Sequence, residues 1–238
     1  MKDKIICWDL DYTLGEFSIL AIKQEYGIDS DEFKSFAQKF PFSVRYGMAE
    51  TLEKLLITGH TNVVTTSATK KYAEEALRKS KLRPYFAEVF GRSKVCKDGS
   101  FGKDYLPVAH WAQIDKDHVS RSMLVIGDAI GDKPRDIDDL VFLHDATSPN
   151  ADPVIISRTI TALENTDNNY KTAFDALYEQ GQKIRSFRGL DLGGGLRISL
   201  EYTDVYRRTR DTEETGKYPV IVLAPDLKIH QKPLVQIT

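Results

Sequence analysis

Short apolar runs separated by longer amphipathic segments organise the first two thirds of this chain. Residues 5–8 (Ile5, Ile6, Cys7, Trp8) form a continuous apolar run ending at an acid, the pattern of a strand covered on both faces of a parallel sheet. Similar runs recur at 62–65, 88–90, 123–126, 140–143 and 154–156. Between them the spacing becomes helical. Tyr72, Ala73, Ala76 and Leu77 share one face of a helix predicted over 70–81. Leu52, Leu55 and Leu56 do so over 49–57, and Leu106, Val108, Ala109 and Trp111 over 104–114. Strands and helices alternating in this way predict right-handed βαβ units and a doubly wound, mainly parallel α/β sheet. Such a sheet binds ligands at the carboxyl ends of its strands.

The alternation is interrupted twice. Residues 15–45 read as a small helical insert, with helices near 18–26 and 30–39. Beyond about residue 165 one amphipathic helix is expected over 170–183, carrying Phe174, Leu177 and Tyr178. Gly193, Gly194 and Gly195 then mark a turn. Leu196, Ile198, Leu200 and Tyr202 alternate along a strand, and Val220 to Leu223 supply its partner. The expected organisation is an α/β core over 1–166 and a C-terminal extension over 167–238, a helix followed by a β-hairpin with a charged turn at 207–214.

Composition narrows the class without naming a function. With 41% apolar and 29% charged residues in 238, the chain can bury a substantial core. A net charge of -2 gives no reason to expect nucleic acid or an acidic membrane as partner. Cys7 and Cys96 fit neither a disulfide framework nor zinc-ligand spacing, so a reducing cytoplasm is the default compartment. The apolar run before Asp9 is too short for a signal peptide or a membrane span.

The candidate chemistry lies at the expected strand ends. Asp9 and Asp11, in the run Asp9-Leu10-Asp11-Tyr12-Thr13, follow the first strand directly. Two acids there are costly unless neutralised, and a divalent cation with oxygen ligands is a natural neutraliser; the plain alternative is a solvated acidic loop. The second strand runs into Thr65, Thr66 and Ser67, either an anion site of hydroxyls and amides or simply a helix cap. The strand over 123–126 runs into Gly127-Asp128-Ala129-Ile130-Gly131-Asp132, where a turn explains the glycines but not the acids. Lys103, after Gly102 and before a helix, offers a positive charge.

In their order, a DxDxT signature, a hydroxyl ending the second strand, a lysine before a helix and a GDxxxD signature resemble the haloacid dehalogenase superfamily. The resemblance covers roughly residues 1–166, including the stretch from Leu82 to Phe86 before Val89, Phe90 and Gly91. It implies that Asp9 is a nucleophile forming an aspartyl-phosphate and that Asp11 is the general acid and base. Thr66, with the Ser67 amide, would hold phosphate, and Lys103 would offset charge. Magnesium would be held by Asp9, the Asp11 carbonyl and Asp128, with Asp132 supporting a water or the lysine. Asp11 favours phosphate over halide, because the dehalogenase branch lacks that acid. One departure stands out: Lys133-Pro134-Arg135-Asp136 follows the last motif where relatives have a helix of small residues, which leaves Lys133 as a rival to Lys103.

The implied function is a magnesium-dependent phosphatase acting on a phosphorylated small molecule or macromolecule, capless or with a minimal helical cap. A phospho-ligand-binding or regulatory module and a phosphotransferase or phosphomutase are the rival readings. Arg207, Arg208 and Arg210 either contact substrate or form a solvated hairpin turn. The extension is a candidate lid, docking surface or homo-oligomer contact.

Overall fold

All four side chains of β1 (Ile5–Trp8) are buried, as the continuous apolar run requires. The computed structural model that shows this describes residues 4–27, 29–39, 42–96, 102–135, 137, 139–144, 153–183, 190–191, 197–208, 213–223 and 235–236. After β1 comes a small antiparallel flap, β2 (Gly15–Glu16) and β3 (Ser43–Val44), with α1 (Ile19–Tyr26) and α2 (Asp31–Lys39) between its strands. The chain continues through α3 (Met48–Ile57), β4 (Thr61–Thr65), α4 (Lys70–Lys79), β5 (Glu88–Phe90) and α5 (Arg92–Val95). Next come α6 (Leu106–Ala112), α7 (Val119–Ser122), β6 (Met123–Gly127) and β7 (Val141–His144). Helices α8 (Val154–Thr166) and α9 (Tyr170–Lys183) precede β8 (Leu190–Asp191), β9 (Arg197–Arg208), β10 (Glu213–Leu223) and β11 (Val235–Gln236).

Eight strands form the main sheet in the order β5-β4-β1-β6-β7-β10-β9-β8, and the first six of that order are parallel. The expected doubly wound α/β class is therefore the observed one. The sheet grows outward from β1 in both directions, so the connections reverse between β4 and β6, and the crevice at β1 is the switch point where such sheets bind ligands. Side chains alternate between two cores. Ile6 and Trp8 pack with residues of α3, α4, α8 and α9, while Ile5 and Cys7 pack with residues of α5 and α6 on the other face. Fully burying one such aliphatic or aromatic side chain contributes about 1.5–3 kcal/mol, so these two layers fix where β1 ends.

Local chemistry explains the helix boundaries near the site. Helix α4 starts where the Thr69 hydroxyl accepts from the Tyr72 amide at 3.2 Å. It stops two residues short of the expected 81 because the Ser80 hydroxyl turns back onto the Leu77 carbonyl and Lys81 adopts φ 61°.

One predicted element is corrected. Residues 154–156, expected as a strand, open α8, where Ile156, Ile160 and Leu163 are buried at helical spacing. A three-residue apolar run does not distinguish strand from helix until its continuation is counted. The place beside β7 belongs instead to β10, whose Val220, Ile221 and Val222 pair with Phe142, Leu143 and His144. The helix and hairpin expected beyond residue 167 form, and they extend the sheet, with Tyr170, Ala173, Phe174 and Leu177 of α9 in the same core as α8.

Because β10 runs parallel to β7, its earlier residues lie off the amino end of the sheet, where their registered partners are in β9. Arg207 and Arg208 stand in register with Glu214 and Glu213. These positions lie beyond the amino end of the sheet, whereas such sheets bind ligands at the carboxyl ends of their strands. Arg210, Gly193 to Gly195 and Leu196 are outside the described residues. Val235 and Gln236 of β11 pair with Val44 and Ser43, adding a third strand to the flap. Among the described residues no helix is long and apolar enough to cross a membrane.

Candidate active site

Asp9 is the first residue beyond β1, and its amide still bonds the Ile126 carbonyl of β6 at 2.8 Å, so the ladder aims this acid at the switch point. The following loop is tightly wound. Leu14 N–H reaches the Leu10 carbonyl at 3.0 Å, Tyr12 N–H reaches the Gly15 carbonyl at 2.7 Å, and Tyr12 adopts φ 64°. A tyrosine in the left-handed region is strained. Leu10, Thr13 and Leu14, all fully buried, hold it there.

Lys103 arrives from a distant part of the chain. Its amide bonds the Lys133 carbonyl and its carbonyl accepts from Arg135 N–H, each at 3.0 Å, which clips the lysine loop to the segment after the last motif. Gly102 makes the clip feasible: its φ is +91°, and a Cβ there would fall 2.9 Å from the Lys133 carbonyl oxygen. The Lys103 ammonium donates to Asp9 Oδ1 at 2.5 Å, to Asp132 Oδ1 at 2.6 Å and to the Thr65 carbonyl at 2.7 Å. Its three protons meet three acceptors, and the side chain is buried. Of the two lysines the sequence left open, the ammonium between Asp9 and Asp132 is that of Lys103. Of the two roles left open for Asp132, contact with the lysine is present.

Asp132 is set by its own turn. Its Oδ2 accepts from Ala129 N–H at 3.1 Å, and its carbonyl accepts from the Tyr105 hydroxyl at 2.7 Å. The side chain lies so close over Gly127 that a Cβ there would fall 2.4 Å from Asp132 Oδ2. Asp128 accepts from the Thr13 hydroxyl at 3.3 Å, which ties the first motif to the last. One carboxylate oxygen from each of Asp9, Asp128 and Asp132 lies within 4.8 Å of the others.

Asp11 stands on the rim beside them, and its Oδ1 accepts from the Tyr72 hydroxyl of α4 at 2.6 Å. Thr66 is buried, with its N–H on the Phe90 carbonyl at 3.0 Å and its hydroxyl oxygen accepting from Ala68 N–H at 3.1 Å. That hydroxyl keeps its own proton to donate. The helix cap the sequence allowed for Thr66 and Ser67 is supplied by Thr69 instead, so these two lie ahead of the helix. Ser67 is exposed, and its carbonyl takes a 2.6 Å bond from Arg92 Nε.

Electrostatics follows from the crowding. Burial pushes the Asp9 carboxyl up, to about 7; Lys103 opposes the rise, and Asp132 and Asp128 add to it. Lys103 is held firmly protonated, because Asp9 and Asp132 together outweigh the cost of burying its charge. One ammonium thus serves two carboxylates, and the shortfall falls on Asp9. Burial likewise raises Asp11, to about 6, against the Tyr72 hydrogen bond that stabilises its anion. Asp128 is raised by burial and then by Asp132. Two of the four acids, Asp9 and Asp132, bond Lys103, and the donors left over are hard oxygens under uncompensated negative charge. Residues of this kind fit a divalent cation such as magnesium.

Sequence reasoning missed Tyr72, which it placed on the apolar face of α4, and Tyr105. The available signal was chemical: a tyrosine in a buried stripe must find a partner for its hydroxyl.

No family model matches this chain, and none of the curated proteins does. Among solved structures, a haloacid dehalogenase-like family hydrolase from Streptococcus pneumoniae aligns at 16% identity and a TM-score of 0.42, over 60% of this chain and 85% of that one. A HAD-superfamily hydrolase of subfamily IA, variant 1, from Geobacter sulfurreducens PCA aligns at 18% and 0.42, over 60% and 90%. A HAD-superfamily hydrolase from Ehrlichia chaffeensis aligns at 15% and 0.41, over 61% and 89%. Likeness at this level carries no argument about reaction or substrate, which rest on the geometry above.

Proposed function

We propose that this chain is a magnesium-dependent phosphohydrolase of the haloacid dehalogenase type, cleaving phosphate monoesters in two steps through a phosphorylated Asp9. The observation that carries the reading is the Lys103 ammonium bridging Asp9 and Asp132 at the switch point, with Asp128 beside them and Asp11 on the rim. Phosphoryl transfer asks the protein mainly for positioning and for positive charge around the transferring group.

Asp9 is the nucleophile, aimed by its backbone bond to β6. Asp11 gives its proton to the leaving oxygen and later takes one from the attacking water, and a carboxyl near 6 suits both directions close to neutral pH. The Thr66 hydroxyl and the Ser67 amide hold phosphoryl oxygens, and Lys103 supplies a fixed positive charge. Asp9, Asp128 and the Asp11 carbonyl, backed by Asp132, would hold magnesium, which when bound supplies further positive charge to the phosphoryl oxygens. The helices of the insert, α1 and α2, are 8 and 9 residues long. An insert this small favours bulky phosphate esters, a phosphorylated macromolecule among them.

The test is phosphate release from a panel of alkyl, aryl, sugar and nucleoside monophosphates, with magnesium and with chelator. Release that requires magnesium is expected for at least one class; no release from any ester sinks the reading.

The cation has a signature independent of turnover. Asp9 titrates higher in the folded chain, near 7, than its ordinary value of 3.8. The folded state therefore holds a proton that the unfolded state releases from about pH 4 upward, and this contribution to stability fades as pH rises to about 7. In chelator the melting temperature should fall across that window, less steeply in Asp9→Asn. Magnesium at pH 7.5 should raise it again by mass action. A melting temperature indifferent to magnesium at pH 7.5 would remove the metal.

A further inference from the structure

We propose that Tyr72 is a positioning residue for the proton-transfer steps, its hydroxyl fixing the Asp11 carboxyl so that the carboxyl proton is presented to the leaving oxygen. The inference rests on the phosphohydrolase reading above and assigns a role within the same site.

Three observations place the phenol. Tyr72 is 4% exposed, and its ring lies in the core with Ala73, Ala76 and Leu77 of α4. Its hydroxyl is 2.6 Å from Asp11 Oδ1. The Thr69 cap bonds the Tyr72 amide itself, so the first turn of the helix sets the ring's height above the sheet. A buried hydroxyl costs free energy unless it is bonded, and here its partner is the acid on the rim. Asp11 is thus held by a core helix, although it stands in a loop whose next residue is strained. A carboxyl on an unsupported loop would sample several rotamers, and proton transfer requires one.

In the first step a bond forms between an Asp9 carboxylate oxygen and phosphorus as the phosphorus–oxygen bond to the leaving group breaks. The proton on the Asp11 carboxyl passes to that leaving oxygen. In the second step water attacks phosphorus, the bond to Asp9 breaks, and the water's proton returns to Asp11. Tyr72 keeps its proton throughout and touches neither phosphorus nor the leaving group.

The leaving group makes the role measurable. An alkoxide needs protonation as it departs, whereas 4-nitrophenolate does not, and kcat/KM reports the steps through formation of the aspartyl-phosphate. Tyr72→Phe keeps the buried ring. For the best alkyl phosphate of the panel it should lower kcat/KM by about tenfold, while 4-nitrophenyl phosphate stays within about twofold of wild type. Asp11→Glu leaves the core tyrosine untouched and moves the carboxyl by one methylene, and it should lower alkyl kcat/KM at least as far as Tyr72→Phe does. Equal losses on both substrates or unchanged alkyl turnover in Tyr72→Phe, or full alkyl turnover in Asp11→Glu, would each overturn the role while the phosphohydrolase reading stood. Absence of turnover by wild type on every ester would remove both.

Discussion

Asp9→Asn should abolish phosphate release, by at least about a thousandfold, because the amide has no anionic oxygen to attack phosphorus. The same substitution should cost little or no stability. Burial, Asp132 and Asp128 together push the Asp9 carboxyl up even though Lys103 is 2.5 Å away, so the folded chain is more tolerant of a neutral group here than of the anion. With chelator at pH 7.5, Asp9→Asn should therefore melt no lower than wild type. A dead enzyme with an undiminished melting temperature separates a nucleophile from a structural acid. Residual turnover near the wild-type rate would take Asp9 out of the mechanism.

The opposite result is expected at Lys103. Lys103→Met leaves a side chain of similar length but removes the one charge shared by Asp9 and Asp132, and it frees the Thr65 carbonyl. Breaking a buried pair by removing one partner costs about 3–5 kcal/mol, because the other charge stays behind unpaired. In a chain of this size that corresponds to a melting temperature lower by about 6–20 °C. Activity should fall by at least about a hundredfold, since the phosphoryl group would then face several carboxylates without the fixed ammonium. Magnesium should return part of the lost stability, because a cation placed among the same acids relieves the same excess. A urea midpoint equal to wild type would show that the ammonium is not what holds these acids together.

The central strands and the order of the motifs were legible because both follow from local rules. A continuous apolar run marks a strand covered on both faces, and acids immediately after it mark a rim. Two features had no such signature. The alternating pattern of 198–202 predicts a strand but not its neighbour, so the insertion of β10 beside β7 depends on pairing between residues about 78 apart, such as Phe142 and Val220. The apolar run at 154–156 looked like the missing strand until its continuation to Ile160 and Leu163 showed a helical repeat. In the site, carboxylates and lysine were readable by residue type and motif spacing. The Tyr72 hydroxyl was not, because periodicity counts a tyrosine on an apolar face as ordinary core. The placing of the Lys103 ammonium between Asp9 and Asp132 likewise depends on the Gly102 clip, a backbone event that no side-chain pattern announces.

The joining of β10 to β7 also bears on what the motif-bearing part of the molecule is by itself. Residues 1–166 contain every acid, hydroxyl and cation of the site, yet their parallel sheet would stop at β7, whose backbone donors and acceptors are met on one side by β10. Cut back to that stretch, the protein would keep its full chemical equipment and present a raw, adhesive border ready to recruit another chain. In this molecule the last third of the polypeptide is the selvedge of the cloth, and what it contributes first is that the weave does not run on.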